Sequence, residues 1–362
     1  MDWVLAALAA LAVAGVLAFG HYAYWTRRLH QPVQDDGIVR ARTRDGWELA
    51  LGTRRPRAEE RLPPVLLVHG LSANRWTLDA GVERVSLAAY LSRQGFRTFA
   101  LDLRGHGDSR RRPPGAPDWS FDHYVEEDVP AALDAIRRET GEERVLWVGH
   151  SLGAVTGLVA CQLHPGRIAG VVAIAGPMAF DTRGRVARYV RRGAVADGRF
   201  NRTLARMVAP WAGLAYPPAA EIAIAGRNVD RATFRRLLAN GIENVPGPVF
   251  RQLSGWVLED ACRSADARRD YRAGLSTCRQ PALFVAAPLD PLAPPDVVRW
   301  SYEAWGGPRT YVEFGREAGH SADYGHTDLL VGRSAPEEVF PVVAGWLIRH
   351  SVPATDVQGG AP

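Results

Sequence analysis

Apolar and polar positions follow three different rhythms along the chain. Residues 3 to 25, "WVLAALAALAVAGVLAFGHYAYW", are apolar almost throughout and contain no Asp, Glu, Lys or Arg. As a helix at about 1.5 Å per residue this stretch is roughly 35 Å long, enough for a hydrocarbon core of about 30 Å. Trp3, Tyr22, Tyr24 and Trp25 stand near its ends, where aromatic rings favour a membrane interface. Residues 1–30 therefore predict an uncleaved membrane anchor. A secretory signal has a basic start and a shorter apolar run, whereas this chain starts Met1-Asp2. Arg27 and Arg28 follow directly, with Arg40, Arg42 and Arg44 beyond, which places the body on the cytoplasmic face. The competing expectation is that the helix is removed and the body secreted.

The second rhythm starts at residue 38. "IVRARTRDGWELALGTRR" alternates apolar and polar residues around Asp45-Gly46, the pattern of a hairpin. Short buried-strand runs follow: "PVLLVHG" at 64–70, "RTFALDLRG" at 97–105, "RVLWVGH" at 144–150 and "AGVVAIAG" at 169–176. Helical segments near 83–94, 122–139 and 152–163 separate them. "PALFVAAPLD" (281–290) and "TYVEFG" (310–315) add strands, and an amphipathic helix spans about 336–349. Apolar strands alternating with helices imply an α/β fold whose mostly parallel sheet is covered on both faces.

The third rhythm fills 177–279, with arginines, prolines and the aromatics Trp211, Tyr216, Phe234, Phe250 and Trp256, but no clear buried strand. That length is too great for a plain loop. A mostly helical cap is expected there, inserted between the two parts of the core at 38–176 and 280–350. Residues 351–362 read as a loose tail.

Composition changes this picture little. Hydrophobic residues make up 47% and charged residues 23%, ordinary values for a chain with a full core. The net charge is +5, and every one of the 44 basic residues is arginine. They are dispersed and no nucleic-acid motif accompanies them, so no nucleic-acid partner is expected; anionic lipid is the alternative attraction. Cys161, Cys262 and Cys278 form no disulfide framework and no metal-ligand spacing, though a Cys262–Cys278 bridge is possible.

The chemistry centres on "WVGHSLGA" at 147–154. A serine hydroxyl is a poor nucleophile unless a base stands beside it. Ser151 falls between Gly149 and Gly153, after a buried strand and before a helix, the setting of a nucleophile elbow. "HGLSAN" (69–74), "DLRGHGDS" (102–109), "GHSLGA" (149–154), "APLDPLAPP" (287–295) and "YGHTDLLVG" (324–332) occur in one order. With them the chain resembles the α/β-hydrolase superfamily, and its lipase-type members in the last stretch. The resemblance covers roughly residues 38 to 350.

The resemblance implies a nucleophile at Ser151, an orienting acid at Asp290 and a base at His326. It also implies an oxyanion hole made by the backbone N–H groups of Leu71 and Leu152. His320, closer to the strand at 310–315, is the alternative base. His150, beside the nucleophile, is expected to be structural rather than a base, His69 and His106 to shape loops, and Asp102 to serve a turn. An aspartate or cysteine nucleophile, as in other branches of this fold, is disfavoured by Ser151. No metal or cofactor motif is present.

The expected activity is hydrolysis of carboxylic esters by a membrane-anchored enzyme, with lipid-like acyl esters suggested by the anchor and the aromatic cap. Acyl transfer, thioester cleavage and amide cleavage use the same residues. A catalytically silent, membrane-attached binding module is the reading from another class.

Overall fold

In the computed structural model, residues 2–56, 62–81, 83–109, 115, 118–191, 198, 200–214 and 222–351 are described. The tail expected at 351–362 lies outside them from 352 onward.

Eight strands form one sheet: β1 (Gly37–Arg42), β2 (Glu48–Arg54), β3 (Val65–Val68), β4 (Thr98–Asp102), β5 (Val145–His150), β6 (Ile168–Ile174), β7 (Ala282–Ala286) and β8 (Arg309–Glu313). Their spatial order is β1-β2-β4-β3-β5-β6-β7-β8. The hairpin β1–β2 turns through Gly46 at φ 89°, a left-handed conformation that suits glycine. β2 pairs antiparallel with β4, and every pairing from β4 to β8 is parallel. β3 to β7 are buried along nearly their whole length, which explains their unbroken apolar runs. β8, at the edge, is exposed or half-buried throughout.

Helices cover the sheet. Leu152–Leu163 packs on β5 and β6, Leu87–Arg93 on β4, and Pro295–Ala304 on β7 and β8. Ala335–Arg349 packs against Leu87–Arg93. The helix expected near 83 begins at Leu87, because Ser86 caps it by accepting from the N–H of Ala89; Glu83–Val85 is a 3₁₀ turn. Phe121–Thr140 is helical with a wider π turn at Tyr124–Asp128.

The segment between β6 and β7 carries the helices Arg185–Arg191, Asn201–Val208, Arg231–Arg236 and Gly247–Glu259, and no strand longer than an isolated bridge among the described residues. One of those bridges joins Ala73 to Ile242, so this segment touches the loop after β3.

The N-terminal helix, Asp2–Leu29, is long and apolar enough to cross a membrane, a property it shares with signal sequences. From Trp3 to Gly20 it is exposed to the surroundings; from His21 it packs on the body. A buried ion cluster fixes the chain that follows. The Arg75 guanidinium pairs with Asp102 at the end of β4, with Asp108 at 2.8 Å and with Asp35 at 3.5 Å. Removing the fully buried Asp102, the partner that lies deepest, would leave much of the Arg75 charge uncompensated, a change that typically costs about 3–5 kcal/mol in a buried pair.

Candidate active site

β5 delivers Ser151 to the carboxyl end of the sheet. The serine takes φ 54° and ψ −119°, a strained conformation for a residue with a side chain. Its N–H donates to the carbonyl of Ile174 at 2.8 Å, which holds the bend against β6. The flanking glycines are required by space. A Cβ on Gly149 would overlap the carbonyl of Gly153, and one on Gly153 would overlap the carbonyl of Val68 on β3. The helix that follows starts at Leu152, so its unpaired N–H groups and dipole lie beside the hydroxyl.

Asp290 lies just beyond β7. Its Oδ1 accepts the N–H groups of Leu292 and Ala293 at 2.8 and 3.0 Å. Its Oδ2 faces His326 Nδ1 at 2.7 Å, and both side chains are buried. A carboxylate only accepts, so Nδ1 carries the proton that faces it; in the neutral ring with this tautomer Nε2 is the acceptor. The loop bearing His326 is held from two sides. His150 Nε2 contacts the His326 carbonyl at 3.0 Å. Asp328 accepts from the N–H groups of Gly325 at 2.9 Å and Ala225 at 3.0 Å, and from Asn228 Nδ2 at 2.8 Å.

Ser151 and His326 line one cavity of about 1220 Å³, together with Gly70, Leu71, His150 and Leu152. Its remaining walls are mostly apolar and come largely from the segment between β6 and β7, including Phe234, Leu237, Phe250 and Trp256. The loop carrying Leu71 runs close under the serine: a Cβ on Gly70 would come within 3.0 Å of Ser151 Cβ. Ser72, at φ 57°, donates to the carbonyl of Glu243 at 2.5 Å, so the segment above braces that loop.

The structure thus brings Ser151, Asp290, His326, Leu71 and Leu152 to one place. His320 is not among the residues lining the cavity; its ring packs on Phe314 at 4.7 Å and its Nδ1 lies 3.0 Å from the Gly315 carbonyl. His69 is buried under the loops, donating from Nδ1 to its neighbour's carbonyl, that of Gly70, at 2.8 Å and accepting from the N–H of Leu103 at 3.1 Å. His106 contacts the Arg104 carbonyl at 3.0 Å. Asp102 serves Arg75 and the N–H of Asp108. All three cysteines are free and buried, so no Cys262–Cys278 bridge forms. Among the described residues no cluster of His, Cys, Asp and Glu could hold a metal ion.

Two residues that hold the site escaped the sequence reading. The sequence marks His150 as structural but carries no sign of its link to His326, and nothing in it marks Asp328 as the residue that holds that loop. A short acceptor two residues after His326 was the available signal, since such side chains bond nearby backbone N–H groups.

A family model described as the alpha/beta hydrolase fold matches residues 63–332. The chain belongs to this family. Among curated proteins it is similar to the gastric triacylglycerol lipase of Rattus norvegicus, 31% identical over 145 residues that cover 37% of this chain and 36% of that one. It therefore spans about a third of the length of the curated lipases it matches. Epoxide hydrolase A of Mycobacterium tuberculosis (strain ATCC 25618 / H37Rv) is 28% identical over 273 residues, covering 65% of this chain and 77% of that enzyme. Among solved structures, a bacterial membrane phospholipase A described as a virulence factor superposes with a TM-score of 0.61 at 18% identity, covering 97% of this chain and 99% of that one. A thermophilic esterase from Thermogutta terrifontis superposes at 0.57 and 19% identity, covering 87% and 100%. At such identities the superpositions speak for the α/β-hydrolase fold alone.

Proposed function

We propose that this α/β hydrolase is a membrane-anchored serine hydrolase that cleaves carboxylic esters of lipid-like or other long acyl groups. The observation that carries this reading is the 2.7 Å contact of Asp290 with His326, which lines the same apolar cavity as Ser151. The similarity to lipases and the apolar walls support an acyl ester as substrate.

His326 Nε2 takes the proton of Ser151 as Oγ attacks the ester carbonyl. The oxyanion is held by the N–H groups of Leu71 and Leu152, the second at a helix N-terminus that favours negative charge. Asp290 steadies the imidazolium without taking its proton. His326 then passes that proton to the leaving alcohol oxygen as the C–O bond breaks. The acyl group stays on Ser151. Water, deprotonated by His326, attacks the acyl carbon, and collapse of the second tetrahedral species returns the proton to Oγ and frees the acid.

The segment between β6 and β7 acts as a cap that supplies most of the acyl-binding wall. The helix Asp2–Leu29 anchors the chain, and Arg27 and Arg28 at its end set the body on the cytoplasmic side. Labelling of Ser151 by a fluorophosphonate, lost in Ser151→Ala, tests the nucleophile. An ester panel of rising acyl length, with products followed with and without an alcohol acceptor, tests the substrate and separates hydrolysis from transfer.

A further inference from the structure

The outer surface of the cap carries large apolar side chains. Phe200, which precedes the helix Asn201–Val208, and Leu204 and Val208 within it recur every fourth residue, and Trp211 follows three residues later. That spacing puts them on one side of a helix. Phe200 is 67%, Leu204 59%, Trp211 53% and Leu214 63% exposed. The rest of the helix is anchored: Ala205, on the flank, is buried, and Arg206, on the far side, donates from Nε to the Ala239 carbonyl at 3.1 Å.

This surface lies beside the N-terminal helix. Asn201–Val208 packs against Asp2–Leu29, and the ring of Trp211 stacks on His21 at 4.6 Å. The height of that contact is set by the helix itself. Trp3 to Gly20 are exposed and uncharged, and as a helix they measure about 27 Å, close to the roughly 30 Å of a hydrocarbon core. From His21 onward the helix touches the body, so with this helix as an anchor the edge of the hydrocarbon would fall at His21 and at the Trp211 stacked on it. Below this level the helix is basic: Arg27 and Arg28 are exposed and Arg235 lies over Trp25 at 5.1 Å. Cations at that height suit anionic headgroups.

The cavity reaches this part of the cap. Val208, Trp211 and Leu214 are exposed and also line the cavity that contains Ser151.

We propose that the cap face made by Phe200, Leu204, Val208, Trp211 and Leu214 is seated in the bilayer interface, and that lipid esters enter the cavity through it directly from the membrane. The proposal rests on the anchored-hydrolase reading above and adds the route of the substrate. An apolar ester then reaches the serine without crossing water, and the exposed apolar residues have a partner, as such contiguous patches require.

The test uses the full chain reconstituted in nanodiscs of phosphatidylcholine and phosphatidylglycerol. The native thiols are buried, so a cysteine introduced at the surface takes a maleimide fluorophore selectively. A probe at Leu204→Cys is expected to be quenched by nitroxides on the lipid acyl chains. A probe at Arg138→Cys is not, because that exposed residue lies near the start of β5, at the opposite end of the sheet from Ser151. In parallel, Phe200→Asp combined with Leu204→Asp alters two residues that do not line the cavity. This variant is expected to lose ~10-fold or more of the turnover of a long-chain ester embedded in the bilayer and to keep a dissolved butyrate ester within ~2-fold. A Leu204 probe as accessible to water as the Arg138 probe overturns the proposal, and so does equal turnover of the embedded ester. If the unaltered chain cleaves neither ester, the hydrolase reading fails, while the lipid quenching still decides whether this face meets the bilayer.

Discussion

His150 donates from Nε2 to the backbone carbonyl of His326 at 3.0 Å, with the two rings 4.7 Å apart. The residue before the proposed nucleophile therefore holds the loop that carries the proposed base. A carbonyl can only accept, so His150 must be protonated on Nε2. Burial, reinforced by repulsion from His326, pushes its pKa down to about 3, and it stays a neutral donor across the working range. Replacing His150 by Ala is expected to lower kcat by ~10–100-fold with little change in KM, since a small displacement of a catalytic group has that cost. His150→Gln retains an N–H donor and should recover much of the loss. Steady-state kinetics of the two variants checks this. Equal loss in both, or a change confined to KM, would count against a positioning role.

Asp290 and His320 make a second comparison. Asp290→Asn replaces the acceptor facing His326 Nδ1 and favours the wrong tautomer, so ester turnover should fall by ~10³–10⁴-fold while the fold survives. His326→Ala should be as severe. His320→Ala should leave most of the turnover, because its ring contacts Phe314 and Gly315 and does not line the cavity. Initial rates with one soluble ester, and circular dichroism of each variant, decide between the two histidines.

The elbow glycines predict a stability effect separable from chemistry. An added Cβ at Gly153 would meet backbone of β3, which cannot swing aside as a side-chain tip can. Gly153→Ala should cost several kcal/mol, on the order of other severe packing errors, or abolish soluble expression. Gly166→Ala, where nothing lies within 4 Å, should change the melting temperature by no more than a degree or two, about the size of an ordinary surface substitution. Thermal unfolding of both variants in the same detergent is the measurement.

Much of this architecture was legible in local pattern. The apolar runs of β3 to β7 announce strands buried on both faces, and Asp45-Gly46 announces the hairpin. Ser151 between its glycines was readable because the bend leaves no room for side chains. What pattern alone could not give is contact across distance. The order β2-β4-β3-β5 follows from crossovers, which carry no periodic signature. His150 and His326 are 176 positions apart. Gln31, whose N–H donates to Asn240 Oδ1 at 2.9 Å, docks the end of the N-terminal helix on the segment between β6 and β7 through a pairing that neither neighbourhood advertises. Nothing local marks Arg75, because a buried cation among Asp35, Asp102 and Asp108 looks, one residue at a time, like surface charge. His320 and His326 remained rivals in the sequence for the same reason: only the fold shows which ring meets Asp290.

His69 supplies a pH prediction that is independent of turnover. Both ring nitrogens are engaged, Nδ1 with the Gly70 carbonyl and Nε2 with the N–H of Leu103, and Nε2 can accept only while the ring is neutral. Burial, aided by the nearby His106, pushes its pKa from 6.5 down to about 3. In the unfolded chain the imidazole titrates near its ordinary value, so between those two limits the unfolded state binds one more proton. Stability must then fall as pH drops through that window, by up to about 1.4 kcal/mol per unit, with no slope from this residue above it. His150 has the same sign. His69→Gln can keep an acceptor and a donor but cannot be protonated. It should therefore lose less of its melting temperature than the native chain does when both go from pH 7.5 to about pH 5. Parallel melting curves would contradict the assignment of His69 as a neutral, doubly bonded strut beneath the Leu71 loop.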